Sequence, residues 1–137
     1  MASVRILIAD DYEQIRRAVR KLLASHEEWD VCGEAVDGQD AIEKAKELKP
    51  DVVVLDISMP RLNGLEAARI IRKEIPQSEI LILSQHAPSE MLQAALAAGA
   101  RGYVTKSDVF RELLPAVEAV SQHKQPSSLA RQIHPSV

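Results

Sequence analysis

Along the chain, short aliphatic runs alternate with segments whose apolar residues return every three or four positions. The first run, Val4 to Ala9, halts at Asp10 and Asp11. From Tyr12 to about Ser25, Ile15, Val19, Leu22 and Leu23 fall at helical spacing, predicting an amphipathic helix. Arg16, Arg17, Arg20 and Lys21 lie between them and read as a solvated basic face. Asp11 is the expected N-cap, with Gln14 as its capping-box partner. Trp29 to Val36 reads as a second strand, with Cys32 a buried small hydrophobe. Asp37-Gly38 reads as a turn, and Ala41, Ile42, Ala45 and Leu48 mark a helix that Lys49-Pro50 ends. Asp51 to Leu55 shows no polar alternation, as expected of a central parallel strand covered on both faces, and stops at Asp56. Leu65, Ala68, Ile71 and Ile75 define a third helix, and Glu79 to Leu83 a fourth strand ending at Ser84. Pro88 opens an Ala-rich helix that Gly99 closes as a C′ glycine. Gly102 to Thr105 is a fifth strand, ending at Lys106. A last stripe runs through Val109, Leu113, Val117 and Val120, with Pro115 expected to kink it or loosen its first turns.

Five β–α units in strict alternation predict an α/β domain: a doubly wound parallel sheet with helices on both faces. Residues 4–122 form that domain. The His, Lys, Gln, Pro and Ser composition of residues 123–137 reads as a C-terminal tail or the start of an interdomain linker.

Composition narrows the picture. At 46% hydrophobic residues a core is assured, but 3% aromatics means that it is built from Val, Ile, Leu and Ala. The net charge of -3 argues against nucleic-acid binding by this segment. A single cysteine excludes an internal disulfide framework. Neither a signal peptide nor a membrane span is legible, so a soluble cytoplasmic domain is expected.

The chemistry sits where the strands stop. In a doubly wound sheet the carboxyl ends of the strands share one edge, and ligands bind in the crevice there. Asp10, Asp11, Asp56, Ser84 and Lys106 should therefore converge. Charges ~4 Å apart repel by about 4 kcal/mol at an effective dielectric of ~20, so a bare cluster of three carboxylates is a poor stability device. A hard cation relieves that repulsion, and Mg²⁺, with few protein ligands and several waters, fits best. With Lys106 as a fixed positive charge and Ser84 as a hydroxyl donor, the set is equipped for phosphoryl transfer to an aspartate.

Asp10-Asp11, the stretch Asp56-Ile57-Ser58-Met59-Pro60 with Asn63-Gly64, then Ser84, and Gly102-Tyr103-Val104-Thr105-Lys106 together resemble the receiver domain of two-component response regulators. The resemblance spans about Val4 to Gln122. It implies a flavodoxin-like sheet of order 2-1-3-4-5 with five helices. It also implies that Asp56 is the phosphoacceptor for a sensor histidine kinase. Asp11, Asp56 and the Ser58 backbone carbonyl would ligate Mg²⁺, with Asp10 acting mainly through bound water. Lys106 would pair with the phosphoryl oxygens, Ser84 and Tyr103 would be the switch pair, and Ser58 and His86 would tune the lifetime of the phosphorylated state. By the same resemblance the domain catalyses only its own phosphorylation and dephosphorylation. Output would pass through the fourth helix, fifth strand and fifth helix, a face that can also form a homodimer. The stretch from Leu83 to Tyr103 is similar to receivers of the helix-turn-helix transcription regulators. Two other readings stand beside this one: a small Mg²⁺-dependent aspartyl-phosphate hydrolase, against which Ser58 counts because an acid is wanted there, and a phosphorylation-independent receiver-like scaffold. Ser107 stands where many receivers have a proline preceded by a cis bond. A cis bond costs ~2.5–4 kcal/mol before any other residue, so Ser107 is expected to cap the last helix instead.

Overall fold

The computed structural model describes residues 3–126 apart from Pro60; residues 127–137 of the expected tail lie outside the described residues. The strands are β1 (Val4–Ala9), β2 (Trp29–Ala35), β3 (Val52–Leu55), β4 (Glu79–Ser84) and β5 (Gly102–Thr105). The helices are α1 (Glu13–Ala24), α2 (Gly38–Leu48), α3 (Gly64–Glu74), α4 (Pro88–Ala97) and α5 (Val109–Ser121), the last preceded by a 3₁₀ turn over Lys106–Asp108. All strand pairs are parallel and the sheet order is β2-β1-β3-β4-β5, the flavodoxin-like arrangement.

Alternation within the strands divides the core in two. Leu7, Val53, Leu55, Ile80, Ile82 and Tyr103 pack with α2, α3 and α4 residues, whereas Ile6, Ile8, Val52, Val54, Leu81, Leu83 and Val104 pack with α1 and α5. The four residues of β3 are buried throughout, as a strand covered on both faces requires.

Local chemistry sets the helix ends, and several differ from the expectations. Asp11 does not cap α1: the N-cap position is Tyr12, with no side-chain cap bond. The Tyr12 amide is instead met by Asp10 Oδ1 at 2.9 Å. Asp37 is more than a turn residue, because its carboxylate accepts from the Asp40 amide at 2.8 Å and caps α2. Asn63 does the same for α3 through the Glu66 amide at 3.0 Å. Gly99, at φ +100, closes α4 in a Schellman motif, with Gly99 N donating to Leu96 O and Ala100 N to Ala95 O. Ser107 does not cap α5. That position belongs to Asp108, which receives Thr105 Oγ1 at 2.9 Å and Arg111 at 2.7 Å. The Lys106–Ser107 peptide is trans. The α5 helix runs on through Pro115. Cys32 is half-buried rather than buried, because it is the extra residue of a β-bulge: Ile6 pairs with Val31 and Leu7 with Gly33.

The first residues of the expected tail also differ. His123 to Pro126 fold back onto the amino-terminal edge of the sheet. His123 Nδ1 lies 2.6 Å from Glu79 Oε2, and the Pro126 ring lies over Gly102. Glu79, at 1% exposure, also receives Arg72 from α3 at 2.5 Å and Arg101 at 2.9 Å. The His123–Glu79 contact and the Pro126 ring over Gly102 hold this chain segment where composition alone suggested a frayed end.

Candidate functional site

The ladder continues past the strands and positions the acids. Asp10 N donates to Ala35 O at 3.1 Å and Asp56 N to Ala9 O at 2.9 Å, so the residues after β1 and β3 are held side by side. The structure brings Asp10, Asp11 and Asp56 together, with one carboxylate oxygen of each within 4.8 Å of the others. Asp10 and Asp56 are buried, at 1% and 2% exposure, and Asp11 is half-buried. Lys106 reaches in from the end of β5, its Nζ lying 3.0 Å from Asp10 Oδ2 and 3.5 Å from Asp56 Oδ2.

One cation does not offset three carboxylates. Burial, then the neighbouring Asp10 charge, raise the Asp56 pKa to about 6, although Lys106 and the Ser58 amide pull it down. Burial alone would lower the Lys106 pKa, but Asp10 and Asp56 outweigh it and the net direction is up. Lys106 is thus held as a cation. Asp11 Oδ1 is buried and has no hydrogen-bond partner among the described residues. An orphaned carboxylate oxygen beside two further carboxylates is the donor set of a hard divalent cation, so the residues present fit Mg²⁺.

The loop after β3 is shaped by close packing. Asp56 Oδ1 accepts from the Ser58 amide at 3.3 Å, and the Ser58 side chain is exposed. Gly64 N donates to Ile57 O at 2.8 Å, and a Cβ at Gly64 would stand 2.0 Å from Asp56 O. Only a residue without a side chain lets α3 begin so near the acid.

Ser84 is fully buried at the end of β4, and its Oγ accepts from the His86 amide at 3.0 Å. Tyr103 points inward, with its hydroxyl donating to His86 O at 2.7 Å. Burial pushes the Tyr103 pKa up, with the Ser84 hydroxyl pulling it down. Ser84, His86 and Tyr103 are therefore coupled through one stretch of backbone. The imidazole of His86 faces Glu90 at 3.7 Å rather than the acids.

The reading of the α1 basic face misses Arg16. Its Nε binds Glu34 Oε1 at 2.9 Å and its Nη1 binds the Asp10 carbonyl at 2.8 Å. Arg20 takes the other Glu34 oxygen at 2.7 Å. The missed signal is periodicity: Arg16 shares the stripe of Val19 and Leu23, both buried.

Known proteins share this sequence pattern and this fold. A family model described as the response regulator receiver domain matches residues 6–118. The transcriptional regulatory protein LnrK of Bacillus subtilis is 39% identical over 117 residues, covering 85% of this chain and 53% of that protein. DegU of Brevibacillus brevis, also a transcriptional regulatory protein, is 35% identical over 119 residues, covering 87% and 50%. The crystal structure of a LuxR-family two-component response regulator from Aurantimonas sp. SI85-9A1 superposes with a TM-score of 0.88 at 35% identity, covering 96% of this chain and 95% of that one. The chain spans about half the length of the curated relatives it matches.

Proposed function

This chain belongs to the response regulator receiver domain family, and from that premise we propose that Asp56 is the phosphoacceptor of a two-component signalling switch. The observation that carries the reading is the triad of buried Asp10 and Asp56 and half-buried Asp11, with Lys106 within 3.5 Å of two of its members.

A carboxylate oxygen of Asp56 attacks the phosphorus of a phosphohistidine on a sensor kinase; the P–O bond forms as the P–N bond breaks, and the imidazole leaves with the electron pair. Asp11, Asp56 and the Ser58 carbonyl would hold Mg²⁺, with Asp10 acting mainly through bound water, and the ion would supply positive charge toward the transferring oxygens. Lys106 is held charged by Asp10 and Asp56 and pairs with a phosphoryl oxygen. Ser84 turns its hydroxyl from the His86 amide to another. Tyr103, whose hydroxyl donates to the His86 carbonyl on that stretch, follows it, and Ser58 and His86 tune how long the acyl phosphate lasts.

The family and the transcriptional relatives support a further reading, that this is the receiver part of a cytoplasmic transcription regulator. Residues 4–122 are its receiver, and the face made by α4, β5 and α5 carries the change to an output segment or to a second copy. Among the described residues, no helix is long and apolar enough to cross a membrane.

Incubation with Mg²⁺ and acetyl phosphate or phosphoramidate, read by intact mass, tests the assignment. The expected result is one phosphoryl adduct, lost with EDTA and in Asp56→Asn. An adduct that survives Asp56→Asn would sink it.

A further inference from the structure

Arg16 stands at the edge of the acidic pocket without an ion pair to any of its carboxylates. Its guanidinium instead bridges Glu34, at the end of β2, and the main-chain carbonyl of Asp10. Burial of Glu34 favours its neutral form, but the hydrogen bonds from Arg20 and Arg16 outweigh it and hold the carboxyl below its ordinary pKa. Glu34 is therefore a fixed anion, and Arg20 binds its second oxygen. Asp10 is gripped from both sides: its amide donates to Ala35 O, and its carbonyl receives Arg16.

That carbonyl belongs to the peptide joining Asp10 to Asp11. Fixing the plane of a peptide fixes the direction in which the next side chain leaves the backbone. The next side chain is Asp11, whose Oδ1 is buried and has no hydrogen-bond partner among the described residues. We infer that Arg16, anchored by Glu34, is a positioning residue that sets the Asp10–Asp11 peptide and thereby aims Asp11 at the divalent cation. The inference rests on the metal reading of Asp10, Asp11 and Asp56.

Coulomb's law gives this idea a sign of its own. A guanidinium beside a cation site repels the cation, so removing it should tighten Mg²⁺ binding if its field is all that matters. A lost positioning contact does the opposite, and loss of an outer-shell partner of a metal ligand typically weakens binding by roughly 10-fold or more. Lysine keeps the charge but not the planar fork that reaches Glu34 and the carbonyl together.

The test is a Mg²⁺ titration of this chain by calorimetry, with the Asp11 and Tyr12 amide resonances followed by NMR with and without Mg²⁺. Arg16→Met and Arg16→Lys should both weaken Mg²⁺ roughly 10-fold and shift those amides even in metal-free protein. Arg20→Met, which removes a charge from the same Glu34 but leaves the Asp10 carbonyl bond, should do neither. Glu34→Gln removes the anchor while keeping Arg16, and its weakening provides the same reading should Arg16→Met not fold. Arg16 variants that bind Mg²⁺ as well as or better than the parent overturn the inference, as does equal weakening in Arg20→Met. Failure of the parent itself to bind Mg²⁺, or a parent affinity unchanged by Asp11→Asn, refutes the metal reading instead.

Discussion

Asp56 sits in an environment that opposes its own charge. In the metal-free fold its carboxyl keeps a proton up to about pH 6, whereas the ordinary value is 3.8. Folded protein therefore binds more protons than unfolded protein between those values. Stability falls as pH rises through that window, and the full cost of ionising Asp56 stands above it. Asparagine carries no such cost. Without Mg²⁺, Asp56→Asn should be more stable than the parent by about 2 kcal/mol at pH 7.5, the gap closing below pH ~4, as read by urea unfolding. Asp10, Asp11, Asp56, Ser84 and Lys106 were legible from sequence because each ends a strand, and strand ends of a parallel α/β sheet meet by topology. Arg16, Glu34 and Glu79 were not. A charge run on a helix reads as solvated, and an acid opening an aliphatic strand reads as its boundary. Each has a partner 18 to 44 residues away, beyond any local pattern.

At the scale of elements, all five strands and five helices follow from periodicity, because each is long enough to show it. Caps are a different matter. Asp10 and Asp11 are adjacent acids before α1, and it is Asp10 that meets the Tyr12 amide, a choice the pattern cannot make between neighbours. The join between β3 and α3 shows what such details control. A methyl group at Gly64 would meet Asp56 O at 2.0 Å and Ile57 Cα at 2.7 Å, both backbone atoms that cannot swing aside. Helix α3 must then retreat from the strand whose end carries the acid. Gly64→Ala should lose about 3 kcal/mol of stability in urea unfolding and slow phosphoryl labelling of Asp56, because the loop carrying Ser58 moves with the helix.

Across the whole molecule the two edges of the sheet carry opposite arrangements. The carboxyl edge gathers three acids around one lysine, whereas the amino edge gathers Arg72, Arg101 and His123 around the single acid Glu79. Burial alone would raise the Glu79 pKa, but hydrogen bonds from His123, Arg101 and Arg72 lower it on balance. A depressed acid contributes stability above its unfolded value, here near 4.5, and that contribution fades as pH falls through the folded value. Glu79→Gln should therefore cost about 2 kcal/mol at pH 7, with the difference from the parent shrinking below pH ~4, measured by thermal unfolding across pH. The same cluster bears on biosynthesis. A ribosome delivers Glu79 well before Arg101, and Arg101 before His123, so for much of synthesis a strand otherwise ready to enter the core ends in an anion with Arg72 as its only partner of the three. The partners of Glu79 are complete only once residue 123 has been made. The fourth strand therefore still has a contact to gain after the last strand has been made.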